Sequence, residues 1–288
     1  MTEQPIIRER LPRVGHIEFL NCLPLSWGLE QVRASEVMGL VSDTPDVLSD
    51  ALVAGALDVG PISLVEALKH ADELMVLPEV AVGCDGPVRS VCLVSKLPVA
   101  ELSGATISLG STSRTSVVLA RLLLEQHFGL TPTYRTDPPD LAGMLRVADA
   151  AVLIGDPALH AMLVDAPERN LHLLDLGAAW KDWTGLPMVF AVWAARRDFV
   201  ERSPKALDAV RIRFAQALRE ARSRPSEVVA AAMAITGFSQ AQLEDYFDVL
   251  HYGLGERQRQ GIARFTAVAH PHMGTAQAVP IEYLPPMR

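Results

Sequence analysis

Hydrophobic and polar residues alternate with two different periods along the first part of the chain. In the first strand segment apolar residues alternate with polar ones, which is typical of a β-strand with one buried face, and two further short apolar segments are predicted as strands. Each strand segment except the first leads into helical spacing, and Thr44 with Pro45 forms a good N-cap and first helical residue. The predicted elements are strands over 13–19, 36–41 and 57–63 and helices over 45–55 and 64–70. This β-α-β order predicts a mainly parallel sheet flanked by helices.

A second β-α series begins after a long apolar segment at 87–95 and ends at another such segment at 187–194. Between them the pattern predicts strands over 104–110, near 134, over 150–154 and over 171–174, and a helix over 113–128. Two long β segments that bracket a middle section predict two chain crossovers between lobes. We therefore assign residues 1–94 and 193–288 to a discontinuous first lobe and 95–192 to a second lobe, since 288 residues suffice for two cores.

The last third of the chain has helical periodicity, which completes the first lobe. Its predicted helices cover 203–223, 225–236, 239–247 and 256–269. The predicted fold class is α/β with two lobes, each a mainly parallel sheet flanked by helices, and a ligand cleft between them. Ligands of such sheets bind at the carboxyl ends of the strands. Asn21 and Ser63, at the ends of the first and third strand segments, are therefore expected to border the cleft.

Composition argues against nucleic-acid binding, membrane insertion and secretion. A net charge of -8 argues against a nucleic-acid-binding surface, and every apolar run is shorter than the ~18–20 residues of a membrane-spanning helix. The first ten residues lack the apolar stretch of a secretory signal, so we expect a cytoplasmic protein. Cys22, Cys84 and Cys92 form no C-x-x-C pair and are expected to be buried thiols rather than disulfides or zinc ligands. The sequence does not set the oligomeric state.

A hydroxyl-rich turn joins the predicted strand 104–110 to the helix that follows it. Five of the six residues 111–116 are Ser or Thr, whereas ordinary N-capping needs only one. Unpaired N–H groups at a helix start, with added hydroxyl donors, favour a carboxylate or phosphate. The turn lacks the Lys and second Gly of a nucleotide-binding P-loop. The residues of this predicted anion cradle are Ser111, Thr112, Ser113, Arg114 and Thr115.

Other polar residues at predicted strand ends have two interpretations each. Asn21, which precedes a predicted loop made rigid by Pro24, either orients a ligand through its amide or closes the strand in an Asx-turn. Arg89, followed by Ser90 in the first crossover, either pairs with a carboxylate or is an exposed structural arginine. Gly155, at the end of another strand, is expected to border the ligand, and Asp156 after it either caps a helix or binds a substrate hydroxyl.

The familiar catalytic and metal signatures are absent from the sequence. It contains no Gly-x-Ser-x-Gly elbow and no H-E-x-x-H pair, and His270 with His272 has no third ligand nearby, so we interpret that pair as a polar tail. Trp180 and Trp183 fall in a predicted Gly-rich loop, where they either wall the cleft or pack. No metal site is predicted.

Five motifs together resemble a known enzyme family. They are 16–25 (HIEFLNCLPL), 88–91 (VRSV), 113–116 (SRTS), 154–156 (IGD) and 183–187 (WTGLP) running into 190–193 (FAVW). In this order they are similar to the chorismate dehydratases of the futalosine route to menaquinone, over roughly residues 13–195. The resemblance implies a type II periplasmic-binding-protein fold used for catalysis. It also implies loss of water from chorismate to give 3-[(1-carboxyvinyl)oxy]benzoate, without metal, nicotinamide or flavin.

The resemblance also suggests roles for the candidate residues. Asn21 would position chorismate, while Ser90 and the cradle Ser111 to Thr115 would hold its carboxylates. Neither Asn nor Ser has a suitable pKa for the base, which leaves Asp156 or a carboxylate of chorismate itself. Two other functions stay open: a non-catalytic binding protein for a small carboxylate, and the dihydroxynaphthoate-forming enzyme of the same pathway, for which a catalytic His in the cleft is expected.

Overall fold

Two five-stranded sheets with helices packed against them form the body of the protein. The computed structural model describes residues 10–274 and 280–287, so the segment 1–9, on which the expectation about secretion rests, lies outside the described residues. Strands of the first sheet are β1 (Arg13–Ile17), β2 (Gly39–Asp43), β3 (Val59–Ser63), β4 (Leu74–Cys84) and β10 (Met188–Arg196). Strands of the second are β5 (Val91–Ser95), β6 (Thr106–Gly110), β7 (Thr133–Asp137), β8 (Ala150–Ile154) and β9 (His172–Asp175).

Both sheets have the same mixed topology. The strand orders are β2-β1-β3-β10-β4 and β7-β6-β8-β5-β9. In each sheet four strands run in one direction, and the strand that enters from the other lobe, β10 or β5, is antiparallel to both neighbours. The expected mainly parallel sheets are therefore mixed, because each lobe takes one strand from a crossover.

The crossovers come slightly earlier in the chain than the predicted lobe boundaries. β5 pairs with β8 and β9 from Val91 onward, and β10 pairs with β3 and β4 from Met188 onward. The chain thus changes sheets at 85–90 and 185–187, whereas the boundaries were set at 94 and 192. The division into two separate units remains a prediction.

Thirteen α-helices are assigned within the described residues. Those between strands are α1 (Leu23–Gln31), α2 (Pro45–Val53), α3 (Leu64–Lys69), α4 (Thr115–Leu122), α5 (Leu141–Val147), α6 (Gly155–His160), α7 (Ala166–Arg169) and α8 (Leu176–Thr184). The C-terminal set is α9 (Arg197–Arg202), α10 (Pro204–Ser223), α11 (Pro225–Ile235), α12 (Gln240–Asp248) and α13 (Glu256–Met273). None of the described helices is both long and apolar enough to span a bilayer.

Helix α1 occupies a segment that the sequence predicted as a loop. Pro24 is in its first turn, where a missing N–H costs no intrahelical hydrogen bond. The helix packs on α10 through Gly28, where a Cβ atom would lie 2.1 Å from the carbonyl oxygen of Ala217. This close contact fixes α1, and with it the turn that precedes it, against the C-terminal helices.

Helix α8 replaces the predicted Gly-rich loop around the two tryptophans. Asp175 caps it, and Gly185, with a φ of 73°, ends it. Trp180 is fully buried, packs against Phe265 and donates from Nε1 to the carbonyl oxygen of Pro187 at 3.1 Å. Trp180 therefore packs in the core and does not wall the cleft.

The three cysteines are buried and unpaired, as predicted. Burial raises the pKa of Cys84 to about 12, and it raises the pKa values of Cys22 and Cys92 as well. All three are neutral thiols at physiological pH.

Candidate functional site

A cavity lies between the carboxyl edges of the two sheets, where the sequence predicted the cleft. The space in and in front of it, including the part that is open to solvent, amounts to about 670 Å³. Seven predicted ligand-binding residues line it: Asn21, Ser63, Thr112, Ser113, Arg114, Thr115 and Gly155. Phe19 and Phe190 add aromatic walls, so the cavity combines apolar surface with a few polar groups, as small-molecule sites commonly do.

Asn21 is held by neighbours from both lobes. It lies in a single 3₁₀ turn, Leu20–Cys22, between β1 and α1. Its carbonyl oxygen accepts a hydrogen bond from the Tyr252 hydroxyl at 2.8 Å, and the adjacent N–H of Leu20 donates to Asp156 Oδ1 at 2.9 Å. Its side-chain oxygen is buried and has no partner among the described residues. The turn is fixed, and the amide keeps an unused acceptor at the cavity.

The hydroxyl-rich turn lies at the start of α4, as predicted, but part of it is already engaged. Thr115 Oγ1 accepts from the N–H of Val65, in the first turn of α3 in the other lobe, at 3.1 Å. Ser113 Oγ accepts from the N–H of Ser116 at 3.3 Å. Thr115 therefore links the lobes, while the other hydroxyl residues of the turn that line the cavity are Thr112, Ser113 and Ser116.

Arg114 also bridges the two lobes. Its guanidinium lies 2.8 Å from Asp50 Oδ1 and 3.4 Å from Glu66 Oε2, both in lobe 1. Two carboxylates therefore neutralise this cation before any ligand binds. The cavity offers a ligand mainly neutral donors and backbone N–H groups.

Gly155 is required by the geometry of the cavity wall. Its φ is +63°, and a Cβ atom there would lie 2.8 Å from the ring of Phe19. Only glycine combines this conformation with that contact. The position explains why Gly155 precedes Asp156 at the start of α6.

Four predicted ligand-binding residues do not line the cavity: Arg89, Ser90, Ser111 and Asp156. Ser111 is exposed, and Ser90 is buried with its hydroxyl 3.4 Å from the carbonyl oxygen of Val88. Asp156 faces the N–H of Leu20 instead. Burial raises the pKa of Asp156, and the hydrogen bond from Leu20 offsets only part of that rise. The side chains of these residues lie outside the cavity lining, and their proposed contacts with a ligand stay a prediction.

Arg89 has a backbone role at the first crossover. Its φ is 62°, and its N–H and that of Val88 donate to the carboxylate of Asp175 at 2.7 and 3.0 Å. Its guanidinium extends toward Asp245 on α12, 3.6 Å away. The half-buried Asp175 carboxylate thus holds the crossover against the start of α8, and the arginine side chain extends away from the cavity.

Asp46 is a cavity residue that the sequence analysis missed. It lies in the first turn of α2, and its buried Oδ1 has no partner among the described residues. It is the one carboxylate among the described residues that line the cavity. Ligands bind at the carboxyl ends of strands, and Asp46 follows the carboxyl end of β2 at the start of α2. The same rule that pointed to Asn21 and Ser63 therefore predicts Asp46 as well.

Comparison with known proteins gives one matching family model. Residues 12–271 match the model described as menaquinone biosynthesis. A chorismate dehydratase from Thermus thermophilus is 35% identical over 237 residues, which cover 77% of this chain and 83% of that protein.

Solved structures support the fold. A protein from Archaeoglobus fulgidus superposes with a TM-score of 0.72 at 20% identity, covering 92% of this chain and 98% of that one. The periplasmic aliphatic sulphonate binding protein of Escherichia coli superposes with a TM-score of 0.67 at 21% identity, covering 96% and 93%. The predicted two-lobed periplasmic-binding-protein-like fold is confirmed.

Proposed function

The chain belongs to the menaquinone biosynthesis family, and from this membership we propose that it is a chorismate dehydratase, a carbon–oxygen lyase. The observation that carries the proposal is Asn21, which lines a cavity between two lobes and whose amide oxygen has no partner among residues 10–274 and 280–287. The relative from Thermus thermophilus, which carries that activity in its name, supports the choice of substrate.

The proposed reaction removes water from the cyclohexadiene ring of chorismate. A base takes the proton from the ring carbon next to the one that carries the hydroxyl, and the carbon–oxygen bond of that hydroxyl breaks. Water leaves and the ring becomes aromatic, which gives 3-[(1-carboxyvinyl)oxy]benzoate. Because aromatisation supplies much of the driving force, the protein's main task is to orient the ring and to assist hydroxide departure.

Neutral donors are proposed to hold the substrate. Thr112 and Ser113 line the cavity beside the start of α4, and their hydroxyls together with the N–H groups there suit a carboxylate. The Asn21 amide is assigned to the ring hydroxyl, since an amide both donates and accepts. Ser63, which caps α3, lies at the opposite wall and completes the polar lining.

The base is proposed to be a carboxylate of chorismate itself. Asp156 does not line the cavity and already accepts from Leu20, which argues against it. Asp46 is the rival, because its free Oδ1 is buried at the cavity. If the substrate supplies the base, D46N keeps turnover within about tenfold of the wild type, whereas loss of a true general base costs about 10²–10⁴-fold. A loss above about 100-fold, with folding intact, would assign the base to Asp46.

The direct test is to incubate the purified protein with chorismate and follow the aromatic product by absorbance and mass spectrometry. Turnover that yields the dehydrated product supports the proposal. Tight binding of chorismate or another carboxylate without turnover would instead identify a binding protein of the same fold. A biosynthetic enzyme of this kind is also proposed to work in the cytoplasm, which cell fractionation checks.

A further inference from the structure

A second polar pocket lies at the amino edge of the first sheet, opposite the cleft. Four arginines border it: Arg10, Arg13, Arg196 and Arg202. Arg13 begins β1 and Arg196 ends the antiparallel β10, so both lie at the same edge. The five residues of β1 separate this edge from the cleft by roughly 16 Å. The two pockets are therefore distinct.

A single buried carboxylate organises three of these arginines. The Asp58 side chain is 1% exposed and lies 3.1 Å from Arg10, 3.4 Å from Arg13 and 2.8 Å from Arg202. The backbone N–H of Arg13 also donates to this carboxylate, at 2.8 Å. Burial alone would raise the pKa of Asp58, but the hydrogen bonds and charge of Arg13 and the charge of Arg10 outweigh it and hold the pKa below its usual range. The carboxylate has no acceptor capacity left for a further cation.

The pocket keeps an excess of positive charge. Its four guanidinium groups face two carboxylates, Asp58 and Asp198, so two positive charges are uncompensated among the described residues that line it. Backbone carbonyls fix two of the side chains. Arg13 Nη2 donates to Gly55 at 2.7 Å, and Arg196 Nη1 donates to Val53 at 2.8 Å. The guanidiniums are thus oriented by groups that do not cancel their charge.

Each arginine also has a donor that is not used. Nη1 of Arg10, Nη1 of Arg13, Nη2 of Arg196 and Nε of Arg202 have no acceptor among the described residues. If the network served only to stabilise the sheet edge, one arginine beside Asp58 would be enough, because one guanidinium group can bind both oxygens of a carboxylate. The surplus of charge and of oriented donors is the mark of an anion site.

We propose that this pocket binds a small soluble phosphomonoester. A phosphate group carries about -1.5 to -2 charges near pH 7, which matches the two uncompensated charges. Its three terminal oxygens accept from several guanidinium forks at once. The Ser203 hydroxyl, which also lines the pocket, offers a further donor. The assignment does not depend on the chemistry of the cleft.

The test is thermal unfolding of the full chain with inorganic phosphate as the probe, against sodium chloride of equal ionic strength. At about ten times its Kd, phosphate raises the wild-type Tm by about 3 °C. Because the cleft also suits anions, variants must locate the effect. In R10Q, whose Arg10 side chain is 61% exposed, the apparent phosphate affinity falls about tenfold. R146Q, an exposed arginine of the other lobe, keeps the wild-type shift.

Three results would overturn the proposal. The first is a phosphate shift no larger than that of chloride. The second is an equal shift in wild type and in the R10Q/R202Q double variant, which would assign the anion to the cleft. The third is a larger shift with citrate than with phosphate, which would replace the phosphomonoester by a polycarboxylate. If the double variant does not fold, the phosphate affinity of R10Q is the test, and a value equal to that of the wild type overturns the proposal.

Discussion

The two edges of the first sheet each border a pocket, and the two pockets use different chemistry. At the carboxyl edge the cleft is lined by an amide and hydroxyls, and its cation, Arg114, is neutralised by Asp50 and Glu66. At the amino edge the positive charge of four arginines exceeds the negative charge of the two carboxylates that line the same pocket. One edge offers oriented neutral donors, and the other offers permanent charge.

The difference suits the function proposed for each edge. Catalysis gains only from interactions that strengthen toward the transition state, so a strongly cationic cleft would hold the charged substrate and product without accelerating the reaction. Neutral donors fixed by their neighbours avoid that cost. A binding site needs only affinity, which permanent charge supplies. Variants at the two edges should therefore affect different measurements.

The largest expected effect is at the carboxyl edge, in N21A. Removing the amide leaves the tethered turn intact but takes away the group assigned to the ring hydroxyl. We expect kcat/KM for chorismate to fall by about 10²–10³, as when one transition-state donor is lost. Steady-state kinetics with purified protein measure it.

S26A is the matched control for N21A. Ser26 lies in the following helix, and within the part of the chain that the structure describes its hydroxyl donates only to backbone carbonyl oxygens, those of Cys22 and Leu23. We expect its turnover within about twofold of the wild type. If N21A retains wild-type turnover, the catalytic role of Asn21 is refuted and the chemistry must lie elsewhere in the cleft.

At the amino edge we expect D58N to lower stability and to leave turnover nearly unchanged, the opposite of N21A. The variant loses the charge that three arginines surround, and we expect unfolding free energy to fall by about 2 kcal/mol at pH 7. The partly exposed arginines can turn to water, which limits the loss. Turnover should stay within about twofold. Urea unfolding and kinetics on the same preparation measure both.

The pH dependence of D58N follows from the lowered pKa of Asp58. The folded state binds the proton of this group less tightly than the unfolded chain does. Its stabilisation is therefore present above the ordinary aspartate pKa of about 3.9 and is lost as pH falls through the lower folded value. The stability difference between wild type and D58N should shrink in that acidic range, and a constant difference would contradict it.

Sequence periodicity predicted most strands and the cleft because both depend on local signals. The Ser/Thr turn at 111–116 and the glycine at 155 were predicted correctly as features at strand ends. Helix capping and strand ends depend on residues that are neighbours in the sequence. Helix α1 was not, because Pro24 resembles a loop signal until its place in the first helical turn is known. Asp46 was missed although the strand-end rule covers it.

Contacts between distant segments could not be predicted from the sequence. For Arg89 the sequence left open a ligand contact or a structural role, and the contact of its guanidinium with Asp245 depends on a left-handed backbone conformation that the sequence does not reveal. Likewise, Asp156 meets Leu20 across 136 positions, and Asp58 meets Arg202 across 144. Such pairs depend on how the lobes and sheet edges fold together, which periodicity does not encode.

A smaller effect at the carboxyl edge is expected from Y252F. The Tyr252 hydroxyl is the donor to the carbonyl oxygen of Asn21, so its loss loosens the turn without touching a cavity ligand. We expect kcat to fall about three- to tenfold with KM nearly unchanged, the value of one hydrogen bond. Y283F is the control, since Tyr283 stacks on Arg259, far along the chain from this turn. An equal loss in both variants would indicate general destabilisation rather than positioning.

The smallest effect is expected for D156N, the counterpart of D58N at the other edge. Asn keeps an oxygen for the Leu20 N–H and removes a charge that burial disfavours, so turnover at pH 7 should stay within about threefold. Because the pKa of Asp156 is raised in the folded state, its contribution to stability is present below about 3.9 and is lost as pH rises through the folded value. D156N should therefore be at least as stable as the wild type at pH 7. A drop in turnover above about 100-fold with an unchanged Tm would show that Asp156 reaches the substrate and is the base.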